Sequence, residues 1–160
     1  MNRSSDEALW LPEVSTNPVG DHLGYLLRRC QVGVFDHFSR EVRNFDLRPT
    51  EYSILRVVMH NRHIRPSRLG EILGIKLANL SPLIDRLEER KLLVRRRAAD
   101  DQRAVELSLS PSGRRVAIAV HRAVEVHIEA MRSLLGDPDY ETLINLLRRL
   151  LAAIEREAES

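Results

Sequence analysis

The sequence is poor in several residue types on which particular protein classes depend. Its 160 residues include one cysteine, Cys30, so neither a disulfide within the chain nor a cysteine-based zinc site is available. No apolar run approaches the ~20 residues that span a membrane. The first twenty residues lack the apolar core of a signal peptide. We therefore expect a soluble, cytoplasmic protein that does not enter the membrane.

Sequence signatures of catalysis are also lacking. There is no glycine-rich phosphate loop and no nucleophile elbow. His60 and His63 are three residues apart, and His121 and His127 are six apart, so neither pair has the i, i+4 spacing of a zinc dyad. The sequence therefore predicts a protein that is not an enzyme, carries no cofactor and has no metal site.

Positive charge is concentrated in the middle of the chain. Residues 62–103 carry 11 basic and 6 acidic side chains, whereas the whole chain has a net charge of only +2. All basic residues except Lys76 and Lys91 are arginines. A concentrated basic segment is typical of a surface that binds nucleic acid. The alternative is a solvated basic face that binds nothing.

Apolar periodicity predicts a mainly α fold with a small β-hairpin. An irregular arm covers residues 1–20, and apolar residues then recur every three or four positions over residues 21–44. Cys30 lies on this stripe, where a buried structural cysteine is the usual explanation. Further helices begin near Pro49, Pro66 and Pro111, and a last one ends the chain.

The middle segment reads as a helix-turn-helix followed by a wing. A short helix, a turn and a second helix over about residues 77–91 precede two strands, 92–97 and 105–109, which alternate around a polar tip. We expect the regular second helix to begin at Ala78 or Asn79, because Pro82 then falls in its first turn, where no N–H is needed. The alternative is a sharply kinked helix that begins earlier.

In such a motif the second helix enters the major groove, and the hairpin reaches the neighbouring minor groove. Asparagine pairs well with adenine, and arginine suits a narrow minor groove. Asp101 is placed to brace the guanidinium of Arg103. The candidate DNA-binding residues are Lys76, Asn79, Ser81, Pro82, Arg86, Arg95, Arg96, Arg97, Asp101 and Arg103.

Three segments carry a resemblance to a known family. Leu69–Ile75, Leu83–Leu93 and Asp100–Ser110, the last followed by Gly113, resemble the multiple-antibiotic-resistance regulator (MarR) family. The most specific part is Asp101-x-Arg103-Ala104 with the alternating apolar residues that follow. The resemblance extends over about residues 20–155. It implies a winged helix-turn-helix homodimer that binds double-stranded DNA at a palindromic operator, usually as a repressor released by a small ligand.

The domain organisation follows from this resemblance and from the apolar stripes. Residues 1–20 form an N-terminal arm, 21–48 and 110–158 form N- and C-terminal dimerisation helices, and 49–109 form the DNA-binding lobe. The stripes at 23–42 and 140–154 are too apolar to stay exposed, which agrees with a dimer interface.

Ligands of the family are often aromatic acids or related anions. An aromatic acyl-CoA is an attractive version here, because several arginines near residues 28–43 could meet its phosphates. The candidate ligand-binding residues are Arg28, Arg29, His37, Arg40, Arg43, Tyr52 and Arg56.

Two other functions stay open. Leu80–Leu83 is similar to the organic-hydroperoxide branch of the family, which would make Cys30 a redox sensor. In that branch the reactive cysteine lies near the position of Leu23, and the tyrosines that bind it lie at the positions of His37 and Arg48. This chain therefore departs from the branch at each of these sensing positions. The other alternative is a winged helix that serves protein assembly without binding DNA.

Overall fold

The computed structural model describes residues 17–97 and 104–158. It confirms a mainly α fold with one small hairpin. The candidate residues Asp101 and Arg103 lie outside the described residues. The elements are α1 (Leu23–Glu41), a short 3-10 helix (Arg43–Phe45), α2 (Pro49–His60), α3 (Pro66–Leu73), α4 (Leu77–Glu89), β1 (Leu93–Arg97), β2 (Val105–Leu109), α5 (Pro111–Leu135) and α6 (Asp137–Ala158).

The chain divides into two compact units, Met1–Val34 and Phe35–Ser160. In the first unit a turn at residues 17–20 precedes the first half of α1, and Gly20 N–H donates to the Asn17 carbonyl at 2.9 Å. Leu23, Leu26 and Val32 of this half-helix are exposed. Cys30 is exposed too, so the expectation of a buried cysteine is wrong for the single chain. Within residues 17–34 no other helix or strand covers the apolar stripe that suggested burial.

In the second unit, α2 to α5 and the hairpin surround one hydrophobic core. Ile54 and Leu55 of α2 are fully buried, together with Leu69 of α3 and Val120 of α5. The prolines at the starts of α2, α3 and α5 occupy the first helical turn, where their missing N–H is not required. Gly74 ends α3 in the left-handed conformation, with φ of 63°, which favours glycine.

The two strands form an antiparallel hairpin whose register runs from Leu93 opposite Leu109 to Arg97 opposite Val105. Ile64 adds an isolated bridge beside β2, and its carbonyl accepts the Leu107 N–H at 2.8 Å. Leu93 and Leu107 turn into the core. The hairpin is therefore anchored on one face, and the other face carries Arg96, Glu106 and Ser108.

The start of α4 differs from the expectation. The helix begins at Leu77 with Lys76 as its N-cap, so Pro82 is the sixth helical residue and not part of the first turn. Its missing N–H leaves the Ala78 carbonyl without a helical partner. Both Ala78 and Pro82 are exposed, so water can serve that carbonyl. Burial of Leu80 and Ile84 outweighs the local cost of the proline.

A tight joint connects the end of α4 to the start of α5. Ser110 caps α5 by accepting the Gly113 N–H at 2.8 Å, and it donates its own hydroxyl proton to the Lys91 carbonyl at 2.6 Å. A Cβ atom on Gly113 would lie 1.9 Å from the Leu92 carbonyl oxygen. Glycine is thus the one residue that lets the two backbones approach so closely.

The last helix, α6, has no buried residue. Its apolar stripe includes Leu143, Leu146, Leu151 and Ile154, all exposed in the single chain. No helix within the described residues combines the length and the apolar character that crossing a membrane requires.

Candidate nucleic-acid interface and effector site

The helix-turn-helix displays the polar first turn of α4. Leu80, Ile84 and Leu87 are almost completely buried and fix one side of the helix against the core. Lys76 and Asn79 lie on the opposite, exposed side. A helix held from behind in this way presents its N-terminal side chains to a partner without further rearrangement.

Ser81 and Pro82 follow that exposed turn. The Ser81 hydroxyl donates to the Leu77 carbonyl at 3.0 Å, so it is satisfied within its own helix. Its oxygen keeps acceptor capacity, and the hydroxyl can rotate toward another partner. Pro82 offers an exposed apolar ring in the next turn. The structure thus brings four of the five α4 candidates to one end of the helix.

Arg86, the fifth, is engaged inside the protein. One guanidinium nitrogen, Nη1, lies 3.0 Å from Glu51 Oε1, and the other, Nη2, lies 3.2 Å from Asp46 Oδ2. Glu51 is fully buried, and its second oxygen accepts the Arg48 N–H at 2.8 Å. A buried carboxylate requires such a counter-ion, which gives Arg86 a structural task.

Arg90 strengthens the same connection, and sequence reasoning missed it. Its guanidinium donates to the Asp46 carbonyl at 2.6 Å and to the Phe45 carbonyl at 2.8 Å. Asp46 has a left-handed backbone, with φ of 48°, at the point where these carbonyls meet Arg90. The end of α4 thereby holds the segment that precedes α2.

The arginines of β1 separate onto two faces of the hairpin. Arg95 pairs with Asp85 and lies 3.3 Å from Glu88, so it returns to α4. Arg96 and Arg97 are exposed, and neither contacts a carboxylate within residues 17–97 and 104–158. Arg97 is the last residue of β1, next to the tip. Of the wing candidates described, it lies nearest to the tip of the hairpin.

A second cluster gathers polar aromatic side chains from α1, α2 and α5. His37 Nδ1 and His127 Nδ1 are 2.9 Å apart, and the Tyr52 hydroxyl lies 3.0 Å from His121 Nδ1. Phe38 stands between these pairs, with ring centroids 5.6 Å from Tyr52 and 5.8 Å from His127. The structure thus joins two predicted ligand residues to two histidines that the sequence analysis had considered only for metal binding.

Burial shifts the pKa of two side chains in this cluster. It lowers the pKa of His127, and the neighbouring His37 lowers it further, whereas Glu41 acts in the opposite direction. Burial raises the pKa of Tyr52, while the positive charge of Arg56 opposes this. The cluster therefore presents a neutral imidazole and a neutral phenol near neutral pH, groups suited to hydrogen-bonding an aromatic ligand.

The remaining predicted ligand residues are more scattered. Arg56 lies half-buried on α2, one turn after Tyr52. Arg40 and Arg43 are exposed at the end of α1 and in the 3-10 helix. Arg28 and Arg29 are exposed in the first unit. Within the described residues, no group of three or more histidine, cysteine or acidic side chains is arranged to hold a metal ion.

Comparison with known proteins places this geometry in a family. A model of the MarR family matches residues 45–104, from the end of the 3-10 helix to the start of β2. The structure of a transcriptional repressor, CouR, bound to a 23-mer DNA duplex is similar, with a TM-score of 0.82 and 29% identity over 87% of this chain and 99% of that one. The chain resembles the MarR family in its helix-turn-helix and hairpin.

Two further similar proteins extend the comparison. CouR bound to p-coumaroyl-CoA gives a TM-score of 0.80 at 28% identity, over 87% of this chain and 98% of that one. A protein of Thauera aromatica, named for transcriptional regulation of the hcr operon, is 28% identical over 88% of this chain and 85% of its own. The chain is thus a DNA-binding transcriptional regulator with a winged-helix fold.

Two histidines of the polar aromatic cluster could not be found from the sequence, and the reason is physical. His121 and His127 lie 69 and 90 residues from the side chains that they contact. A signal was present, because His127 continues the buried stripe of Val120 and Val124 on α5. A histidine on such a stripe requires a polar partner, which the spacing between histidines alone does not reveal.

Proposed function

We propose that the chain is a homodimeric repressor that binds a palindromic operator and releases it when an aromatic acid or an aromatic acyl-CoA binds. Residues 49–109 form the DNA-binding lobe, and 21–48 and 110–158 supply the dimer interface. The N-terminal arm, residues 1–20, has no assigned role in this proposal.

The observation that carries the proposal is the exposed first turn of α4, whose opposite side is buried in the core. Lys76 contacts phosphate or guanine, Asn79 reads a base, and Ser81 adds a hydroxyl. Arg97 and Arg103 reach the minor groove from the hairpin. Arg86 and Arg95 are not among these contacts, because each is held by carboxylates of the protein itself.

The dimer follows from apolar surface that the single chain leaves uncovered. Leu23 and Leu26 are exposed on α1, and Leu146 and Leu151 on α6. Exposed leucines in such numbers on two helices are typical of a partner surface. A two-fold dimer sets its recognition helices one DNA turn apart, about 34–36 Å, which requires an operator with matching symmetry.

The effector site in this proposal is the cluster of His37, Tyr52, His121 and His127. Phe38, which is almost completely buried, packs against Tyr52 and His127, and the four polar side chains offer hydrogen bonds to a phenol or a carbonyl. Arg56, together with exposed Arg40 and Arg43, supplies positive charge for a carboxylate or for CoA phosphates. The similar CouR bound to p-coumaroyl-CoA supports this ligand class.

The experiment is a DNA-binding titration on the purified protein. Its probe is the DNA upstream of the chain's own gene, across a salt series, with and without candidate aromatic acids and their CoA thioesters. We expect tight, salt-dependent binding that one of these compounds abolishes. Cys30→Ser should bind and release DNA as the native chain does.

Other outcomes would each remove part of the proposal. Binding that no compound changes but that peroxide abolishes, with the response lost in Cys30→Ser, would replace the ligand by a thiol switch. An absence of specific binding at every salt concentration would favour a protein-assembly module.

A further inference from the structure

A basic cavity lies beside the hairpin, next to the end of α2 and the start of α5. Its volume is about 260 Å³, and its lining comes from the end of α2, the turn after it, both strands and the start of α5. Val58, Met59 and Leu109 form its apolar part. Three arginines, His63 and Ser108 supply the polar part.

The three arginines are Arg62, Arg96 and Arg114, which belong to different elements. None of them forms an ion pair with a carboxylate in the part of the chain that the structure describes. This contrasts with Arg68, Arg86, Arg95 and Arg132, all of which are paired. Three unpaired guanidinium groups around one small cavity repel one another, and an anion between them would relieve that repulsion.

Two other titratable groups border the cavity, and they offset its positive charge only in part. Glu106 lies beside it on β2, but its carboxylate is 3.3 Å from His63 Nδ1. His63 reaches this position from a left-handed backbone with φ of 62°, a conformation that non-glycine residues seldom adopt. Glu106 also stands opposite Arg96 in the hairpin register, so among the described residues one carboxylate faces three guanidinium groups and the cavity keeps a positive balance.

The cavity is distinct from the proposed DNA-reading surface. Strand residues alternate between faces, so Arg96 and Ser108 lie on the face opposite to Arg95 and Leu107. Arg95 contacts α4, whereas Arg96 lines the cavity. It is equally distinct from the histidine–tyrosine cluster, with which it shares no residue.

We propose that this cavity binds the phosphate group of a small phosphorylated molecule. Guanidinium groups recognise phosphate through paired, charge-assisted hydrogen bonds, and a multiply charged anion engages more than one of them. The Ser108 hydroxyl adds a neutral donor, and the apolar part accommodates a carbon skeleton. A second source of the same chemistry is the phosphodiester backbone of DNA, and the experiment separates the two.

The test compares two neighbouring arginines on α5. Arg114→Gln removes a guanidinium from the cavity, whereas Arg115→Gln removes an exposed guanidinium that does not line it. Calorimetric titration with inorganic pyrophosphate at constant ionic strength measures anion binding to each full-length variant. Titration with operator-containing DNA measures DNA affinity for the same samples, and thermal unfolding confirms that both variants fold.

We expect the native chain and Arg115→Gln to bind pyrophosphate with similar affinity and Arg114→Gln to bind it at least about tenfold more weakly. The DNA affinities of the two variants should match. An absence of pyrophosphate binding by the native chain, or equal binding by both variants, would overturn the proposal. Weaker DNA binding by Arg114→Gln than by Arg115→Gln would assign the cavity to the DNA backbone instead.

Discussion

Arg86 of α4 forms an ion pair with the fully buried carboxylate of Glu51 on α2, with 3.0 Å between Nη1 and Oε1. The same guanidinium contacts Asp46, and Arg90 binds the carbonyls of residues 45 and 46. The recognition helix is thus fixed by charge as well as by its apolar side. Its orientation therefore depends on contacts with α2 and with the segment that precedes α2.

Loss of this ion pair should destabilise the fold. Arg86→Met leaves the Glu51 carboxylate buried without its counter-ion, and we expect the free energy of unfolding to fall by about 3 kcal/mol. Urea denaturation at one fixed protein concentration measures this. Glu51→Gln in the same chain should recover part of the loss, because no buried charge then remains.

Arg68→Met is the matched control, because it removes an exposed pair with Glu71 and should cost less than about 1 kcal/mol. Equal losses in the two variants would show that the buried carboxylate does not depend on Arg86.

Asn79 and Lys76 should separate base reading from phosphate binding. Asn79→Ala should weaken operator binding by about 1–3 kcal/mol and relax the preference at one base pair in each half-site. Lys76→Ala should instead weaken binding to all sequences, and the dependence of log K on log salt should become shallower by about 0.9 per phosphate contact. Fluorescence anisotropy on the operator and on single-base variants measures both. A uniform loss across sequences for Asn79→Ala would remove it from the base contacts.

The sequence predicted much of the second unit because local rules decide it. Pro49, Pro66 and Pro111 mark true helix starts, and Gly74 ends α3 as expected. Pro82 misled the same rule, since burial of Leu80 and Ile84 extends α4 one turn ahead of it. Tertiary burial can outweigh a local preference, and no window of sequence reveals that balance.

The candidate sites likewise combine features that local sequence rules predict with features that depend on residues distant in the chain. The exposed positions of Lys76 and Asn79 follow from helical periodicity, which the sequence displays. The role of Arg86 depends on Glu51 and Asp46, residues far from it in the chain. Its charge alone therefore suggested DNA, although its surroundings give it an internal partner.

The stability of the protein should fall as the pH decreases through the range of histidine titration. Burial lowers the pKa of His127 in the folded chain, so the unfolded chain takes up the proton first, near the usual pKa of 6.5. Above that range His127 is neutral in both states and does not change the free energy of unfolding. The loss of stability grows as the pH falls toward the lowered pKa of His127 in the folded chain. Urea denaturation between pH 8 and 5.5 should show a smaller decline for His127→Gln.

His60→Gln, which replaces an exposed histidine outside the cluster, is the control. A decline in His127→Gln as steep as that of the native chain would assign the pH dependence to other groups.

The exposed stripe of α6 should determine the oligomeric state. Leu151 is 57% exposed in the single chain, and Leu151→Glu would place a charge within the proposed dimer interface. We expect light scattering to report a monomer or a much weaker dimer, together with a loss of operator affinity. Asn145→Glu introduces the same side chain on α6 away from the apolar stripe and should leave the dimer intact. A stable Leu151→Glu dimer would exclude this stripe from the interface.

The close backbone contact at Gly113 fixes the start of α5 to the segment that follows α4. At about 1.5 Å per residue, a helix of its length extends roughly 37 Å, so a tilt of about 5° at one end moves the other by about 3 Å. The start of α5 contacts Lys91 and Leu92, which directly follow α4. The more distant part of α5 carries His121 and His127. In the proposed function, a ligand that displaces those imidazoles would tilt α5, and the contact at Gly113 would pass that rotation to Lys91 and Leu92 at the end of α4.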